Sequence, residues 1–309
     1  MPKEHYLDDS IVCNAWDNSI APRLSIAPGD TVTFACREAS GAQIGPNSQA
    51  SELIGLDFGR VNPLTGPVYV EGAEPGDALK VEILKFEHQG WGWTGIIPGF
   101  GLLADEFPDP YLKIWRLNGE WAEFRPGIRV PLEPFCGEMG VAPQEAGPVS
   151  AVSPGKHGGN LDTRGLTVGA VLYLPVWVKG ALFCCGDCHG AQGDGEVCGT
   201  GIEAPMAVTL RFGLIKGRSL PEFRFETPSP LTKADRLGYY VTTAHGPDLF
   251  ANAQQAIRYQ IEHLVAHHGL SRAEAYALCS VAVDLKISQI VDTPNYIVSA
   301  YLPKSIFSG

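Results

Sequence analysis

The sequence predicts an α+β protein that is mostly β: an antiparallel sandwich- or barrel-like body of short strands, followed by a C-terminal helical hairpin. Three observations predict it. Short apolar stretches with period-two alternation, punctuated by Pro-Gly and Gly-rich turns, fill residues from about 11 to 247. Residues from about 248 to 286 instead carry an apolar stripe of helical period. No linker between them is long enough to require two independent domains. One domain over 1–309 is therefore expected, with residues 287–309 packing back on the body.

The elements follow in order. Residues 23–26 lead through Pro28-Gly29-Asp30 into the alternating stretch 31–36, which reads as a β-hairpin or meander. Residues 68–71, the turn 74–77 and residues 78–84 repeat the device. Residues 166–176 look like a third instance, with Gly169-Ala170 at the turn. The recurrence is read as ordinary sandwich or barrel punctuation rather than an internal duplication. Further on, Leu249, Ala253, Ala256, Ile257, Ile261, Leu264 and Val265 form a helical stripe that Asp248 can cap and Gly269 can stop. Ser271 and Glu274 are spaced as a capping box, opening a second helix through about Leu285. His263, His267 and His268 crowd the end of the first helix, where interaction with its C-terminal dipole or plain exposure outweighs a metal cluster.

Composition narrows the function. A chain of 309 residues with 45% apolar residues can bury a large core. Its 36 glycines and 24 prolines are scattered through apolar runs, so they punctuate turns rather than mark a disordered tract. A net charge of −11 argues against nucleic acid and suits a neutral substrate. The first ten residues lack an apolar core, so no secretory signal is expected, and no run reaches the roughly 18 apolar residues of a membrane span. The eight cysteines are then read as free thiols of a cytoplasmic protein. Cys184, Cys185, Cys188 and Cys198 invite a zinc-ribbon reading, but a second Cys-x-x-Cys pair is missing, and a small buried apolar role suits Cys184 better. A homo-oligomer is expected from the apolar content and the helical hairpin.

The chemistry concentrates in residues 186–196, Gly-Asp-Cys-His-Gly-Ala-Gln-Gly-Asp-Gly-Glu, directly after the apolar run 181–185. A strand ending in such a loop delivers ligands and proton-transfer groups to one point. Asp187 and His189 are two apart, so on an extended strand they share a face. Carboxylate oxygen plus imidazole nitrogen suits two ligands on one divalent ion. A hairpin turn with a solvated acidic tip is the alternative for the same loop.

The surroundings extend the pattern: residues 157–162 (His-Gly-Gly-Asn-Leu-Asp) upstream and 198–206 (Cys-Gly-Thr-Gly-Ile-Glu-Ala-Pro-Met) downstream. Together they resemble the signature of the acetamidase/formamidase family. The resemblance continues in residues 68–77, 103–108 and 289–292, and covers the chain from about Asp17 to Phe307. The length is similar to that of the shorter acetamidase-like members. The resemblance implies hydrolysis of short aliphatic amides, acetamide or formamide, to carboxylate and ammonia.

Amide hydrolysis needs a nucleophile, stabilisation of an oxyanion and a proton for the leaving ammonia. No serine sits in a glycine-flanked nucleophile elbow. Cys188, between Asp187 and His189, is the best thiol, but strand alternation points it away from their side. Metal-activated water remains, the class the resemblance also implies. Asp162, Asp187 and His189 are the expected ligands, with a divalent metal, zinc, and calcium as the alternative. Asp162 can instead be a turn residue bonded to backbone. Glu196 is expected as general base and proton donor, and Gln192 and Asn160 as groups that orient the small neutral amide. Glu203, Glu71 and His157 are further candidates, and Asp105 matches the family pattern. Residues 91–101, rich in Trp and Gly, are read as a pocket wall or as buried packing. Two other functions compete: a non-catalytic calcium-stabilised binding protein using Asp187, Asp194 and Glu196, and a thiol amidase using Cys188.

Overall fold

In the computed structural model, which describes residues 1–152, 154–228, 237–290 and 296–307, the Pro-Gly turns join strands of different sheets. Leu24–Ile26 runs parallel to Leu64–Val70 in one sheet, whereas Thr31–Cys36 lies between Glu4–Leu7 and Met206–Ile215 in another. The second unit crosses the same way, from Leu64–Val70 to Ala78–His88. These are corners, not the expected hairpins. In both, the turn aspartate reaches back three residues: Asp30 accepts from the Ala27 amide (3.0 Å) and Asp77 from the Glu74 amide (2.9 Å). Such a turn redirects the chain without pairing its flanks. The third unit is no hairpin either. Residues 166–170 are turns, and Val171–Pro175 pairs with Ala78–His88 and Arg224–Glu226.

The body is a sandwich of two six-stranded sheets. Phe34 and Phe212 of the first sheet meet Phe183 of the second, with ring centroids 5.8 and 5.0 Å apart. Pairing is mainly antiparallel, with two parallel exceptions at Glu4–Leu7 and Leu24–Ile26. A four-stranded meander, Trp91–Ile96 to Ile128–Pro131, stands beside it. Phe183–His189 lies between Phe135–Gly140 and Leu64–Val70, and all seven of its residues are buried. Strands covered on both faces read as continuous apolar runs rather than alternation. No helix among the described residues is long and apolar enough to cross a membrane.

Helix α1, Leu249–His268, starts where the Asp248 carboxylate accepts from the amides of Phe250 and Ala251, and ends at Gly269 with φ 60°. Helix α2, Arg272–Ala282, opens on the expected Ser271/Glu274 capping box. The histidines at the end of α1 pack on aromatic rings: His263 stacks on Tyr240 and His268 on Phe307. Helix α2 stops at Ala282, short of Leu285. Beyond it, Asp284–Gln289 is a strand beside Tyr296–Pro303, which pairs in turn with Tyr239–Gly246. Tertiary bonds override helix propensity here. The Asp284 carboxylate pairs with Arg164 and accepts the Asp194 amide, and the Leu285 amide donates to the Asp194 carbonyl. Val291 and Asp292, part of the C-terminal motif, lie outside the described residues.

This junction holds the loop that follows the buried strand. The Gly193 amide donates to the Ser280 carbonyl (2.8 Å), and a Cβ at Gly193 would lie 2.1 Å from the Val283 carbonyl oxygen. Gly193→Ala should therefore cost about 1–3 kcal/mol, the usual penalty of overpacking. Urea unfolding measures it, and an unchanged midpoint would show that the junction does not clamp the loop.

Candidate active site

The buried strand Phe183–His189 does not alternate regularly along its length. Asp187 has a left-handed backbone, φ 48°, and there the phase of the strand changes. Upstream of it, Cys185 faces the sandwich core, 4.0 Å from Cys36 Sγ. Downstream, Cys188 faces the same core, its Sγ 3.6 Å from that of Cys136. Asp187 and His189 are left together on the other side, lining a cavity of about 130 Å³.

His189 organises the cavity floor. Its Nε2 lies 3.0 Å from Glu203 Oε2, 3.4 Å from Asp187 Oδ1, and 4.0 Å from both Asp162 Oδ1 and Glu196 Oε1. Its Nδ1 lies 2.7 Å from Gln192 Oε1, while Gln192 Nε2 donates to the Asp162 carbonyl (2.8 Å). The carboxamide orientation is fixed by that second bond, so its oxygen faces the ring and Nδ1 carries the proton. In the neutral ring, Nε2 is then a bare acceptor among carboxylate oxygens, a set that needs a proton or a cation between its members.

Each acid is placed by a separate piece of chain. The Asp162 carboxylate accepts from Asn160 Nδ2 (2.7 Å), and the amides of Leu161 and Asp162 both donate to the Gly137 carbonyl. Gly137 must be a glycine, because a Cβ there would lie 2.6 Å from Asp162 Oδ1 and 2.8 Å from Asp187 Oδ2. Glu203 is tied through its backbone to Trp93 and through Oε1 to the Gly201 amide (2.6 Å). Glu196 sits in the turn after Gly193, with φ 42°. Asn62 donates to Asp187 Oδ2 and Asn160 Oδ1, both at 3.2 Å, and to the buried Glu138.

Crowding acids out of water raises their proton affinity. Burial, then the Asp187 charge, raises the Asp162 carboxyl to about 7. Burial raises Glu203 to about 8 against the pull of His189. Burial also pushes Glu196 well up, with help from Asp162, and Glu138 well up, with help from Asp187. Burial alone would lower His189, but the Glu203 and Asp187 charges hold it well above the usual imidazole range.

Asp162, Asp187, His189, Glu196 and Asn160 line one cavity, and Glu203 joins them there. Trp93, Ile97 and Phe100 of the Trp-Gly stretch form part of its wall. Other expected members stand elsewhere. Gln192 lies behind the imidazole, with both ends of its carboxamide engaged. Asn160 braces Asp162 rather than pointing a free amide at a substrate. Glu71 and Asp105 are exposed, away from the cavity lining, because each sits at a surface turn. His157 is buried against Trp16, ring centroids 5.3 Å apart, outside the cavity lining. Asp194, the third member of the oxygen-rich calcium loop, is exposed and lies outside the cavity lining that Asp187 and Glu196 share. Cys188 is fully buried in the core, and burial adds to what its thiol neighbours do in raising it. Asn62 and Glu138 were not foreseen: each is a lone polar residue in an otherwise uninformative stretch.

The acetamidase/formamidase family model matches residues 2–148 and 146–309. A formamidase of Methylophilus methylotrophus is 31% identical over 99% of this chain and 92% of its own. An acetamidase of Mycolicibacterium smegmatis is 31% identical over 66% of each chain. Among solved structures, the γ-lactamase of Delftia acidovorans superposes with a TM-score of 0.91 at 27% identity, covering 96% of this chain and 90% of its own. The acetamidase of Bacillus halodurans, at 36% identity over 98% of both chains, superposes with a TM-score of 0.69. The chain belongs to the acetamidase/formamidase family, a family of amide-hydrolysing enzymes.

Proposed function

We propose that this chain hydrolyses the C–N bond of a small uncharged amide to carboxylate and ammonia, using a divalent cation, zinc, held by Asp162, Asp187, His189 and Glu203. One observation carries the reading. Asp162 Oδ1, Asp187 Oδ1 and Glu203 Oε2 are buried without a hydrogen-bond donor, and all three lie within 4.0 Å of His189 Nε2. Buried charges of one sign need a proton or a cation among them. Three oxygens and one imidazole nitrogen fit zinc, with the single nitrogen weighing against calcium. Such a cation supplies a Lewis acid that makes water nucleophilic near neutral pH and polarises the amide carbonyl.

The chain's own groups supply the rest. Gln192 fixes the His189 tautomer and ties it to the Asp162 backbone, so two of the holding groups share one brace. Glu196 is the acid with most access to the cavity opening after Asp162: its side chain is 17% exposed, against 1–4% for His189, Asp187 and Glu203. It therefore takes a proton from the attacking water and returns one to the leaving nitrogen. The eight free thiols and the net charge of −11 support the reading of a cytoplasmic enzyme without a nucleic-acid partner.

Glu196→Gln should lower kcat by about 10²–10⁴ while metal content stays near that of the parent protein. Glu203→Ala should lose bound metal. Turnover and elemental analysis on the same preparations separate the two roles, and metal loss in Glu196→Gln would exchange them. Gln192→Leu should weaken metal affinity by about 10–100-fold, since it frees the ring and cuts its tie to the Asp162 backbone. Unchanged affinity would make Gln192 a packing residue only.

Proton competition sets the pH dependence. With Asp162 raised to about 7 and Glu203 to about 8, these groups hold protons below those values and must release them to hold a cation. Apparent zinc affinity should rise steeply from pH 6 to pH 8. A flat profile across that range, measured by competition with a chelator of known pH response, would remove these two carboxylates from the ligand set.

A further inference from the structure

The cavity has two unlike halves. Its floor is the acid–imidazole cluster. Its wall and mouth are apolar: Leu56, Phe58, Trp93, Ile97, Phe100 and Val152. The wall is backed by a separate buried cluster of Ile44, Leu53, Trp93 and Ile97, with Leu56 packed against it. Trp93 is held in place by its indole N–H donating to Glu38 (2.7 Å). At the mouth, Phe58 and Phe100 stand 6.4 Å apart, edge to face, and remain 50% and 41% exposed.

These two rings are not loose surface aromatics. Phe100 lies against the loop between Glu196 and Glu203, filling the place a side chain at Gly199 would occupy: a Cβ there would lie 2.4 Å from Phe100 Cδ1. Phe58 is carried by a turn in which the Asp57 carboxylate accepts the Gly59 amide (2.9 Å). Exposed apolar area held rigidly at the rim of a polar floor is the signature of a ligand's apolar part. Its size follows from the volume. An apolar cavity of about 150 Å³ holds one benzene. The cavity here is about 130 Å³ with the polar floor included, so it holds a whole amide of about benzene's size, beneath two rings that touch edge to face. A formyl or acetyl group would leave most of this wall uncovered.

We propose that the amide accepted by this site carries a compact branched or cyclic apolar acyl group of about four carbons, seated beneath Phe58 and Phe100 against Trp93, rather than a formyl or acetyl group. The inference rests on the amide-hydrolase reading for its chemistry, and on the apolar wall for its selectivity. The polar floor takes the carboxamide. The wall takes the acyl group, and each added methylene that it buries raises selectivity over the shorter substrate.

The test is a substrate series on the full-length, zinc-loaded protein: formamide, acetamide, isobutyramide and cyclopropanecarboxamide, read by ammonia release. The expected result is a kcat/KM for isobutyramide or cyclopropanecarboxamide at least tenfold above that for acetamide. A series that falls from formamide onward overturns the proposal. In the Phe58→Ala, Phe100→Ala double variant, the ratio of kcat/KM for the better large amide to that for acetamide should fall at least tenfold. An unchanged ratio also overturns it. Binding separates this proposal from the hydrolase reading. Calorimetric titration of the Glu196→Gln protein with isobutyramide and with acetamide should show at least tenfold tighter binding of isobutyramide. If that order holds but no amide is turned over, the hydrolase reading fails and the acyl pocket stands. If isobutyramide binds no more tightly than acetamide, the acyl pocket fails.

Discussion

Keeping a cluster of carboxylates out of water around one imidazole is the constraint on which the rest of this structure depends. Each buried carboxylate loses its hydration and repels its neighbours. The protein relieves part of this locally. Asn160 and Asn62 donate to Asp162 and Asp187, and the Gly201 amide donates to Glu203. The oxygens that face His189 Nε2 receive none of this help. The polar groups around the cluster thus satisfy its outward side and leave the inward side charged. That asymmetry suits the cation-holding centre proposed above.

The arrangement also strains the backbone. Asp162, Asp187 and Glu196 have φ of 39°, 48° and 42°, a region that side chains other than glycine occupy at a cost of about 1–3 kcal/mol each. Rigid surroundings hold them there. Asp187 lies in a strand with neighbours on both sides, and Asp162 follows directly on the strand Gly158–Asn160. Glu196 is in a loop clamped to the end of α2. A buried ion cluster joins these parts. Arg164, two residues after Asp162, pairs with Glu133 and with Asp284, and Asp284 also accepts the Asp194 amide. The C-terminal helix–strand unit therefore fixes the loop that carries Glu196 relative to the strand end that carries Asp162. Breaking one partner of such a buried pair leaves the other uncompensated, so the link is stiff.

Much of the site was legible because its acids cluster in sequence. Asp162, Asp187, His189 and Glu196 were readable from one loop and its upstream neighbour, where residue type and spacing carry information. The positions of the Gln192 and Asn160 carboxamides were not. Spacing places a carboxamide near an imidazole but does not say on which side of the ring it falls, and that decides between orienting a substrate and bracing a ligand. Asn62 and Glu138 come from distant stretches and meet the site only through sheet packing. The mainly β body and the two helices were legible from periodicity and caps. The partners of the strands were not, since a Pro-Gly turn looks the same whether it closes a hairpin or turns a corner. The end of α2 depended on Asp284 and Leu285 finding partners in another loop, which no local pattern contains.

The left-handed Asp187 has one more effect, on the thiols. In a regular strand, Cys185 would share a face with Asp187 and His189, while Cys188 would face away. The phase change at Asp187 puts both cysteines on the core side, where Cys36 and Cys136 also lie. Without it, Cys185 would stand on the His189 side of the strand. Thiolates bind zinc strongly and would compete with oxygen ligands for the cation. They would also close coordination positions that a catalytic site keeps open. Through one backbone angle, the Cys-x-x-Cys spacing thus leaves both of its thiols in the core and outside the proposed metal centre.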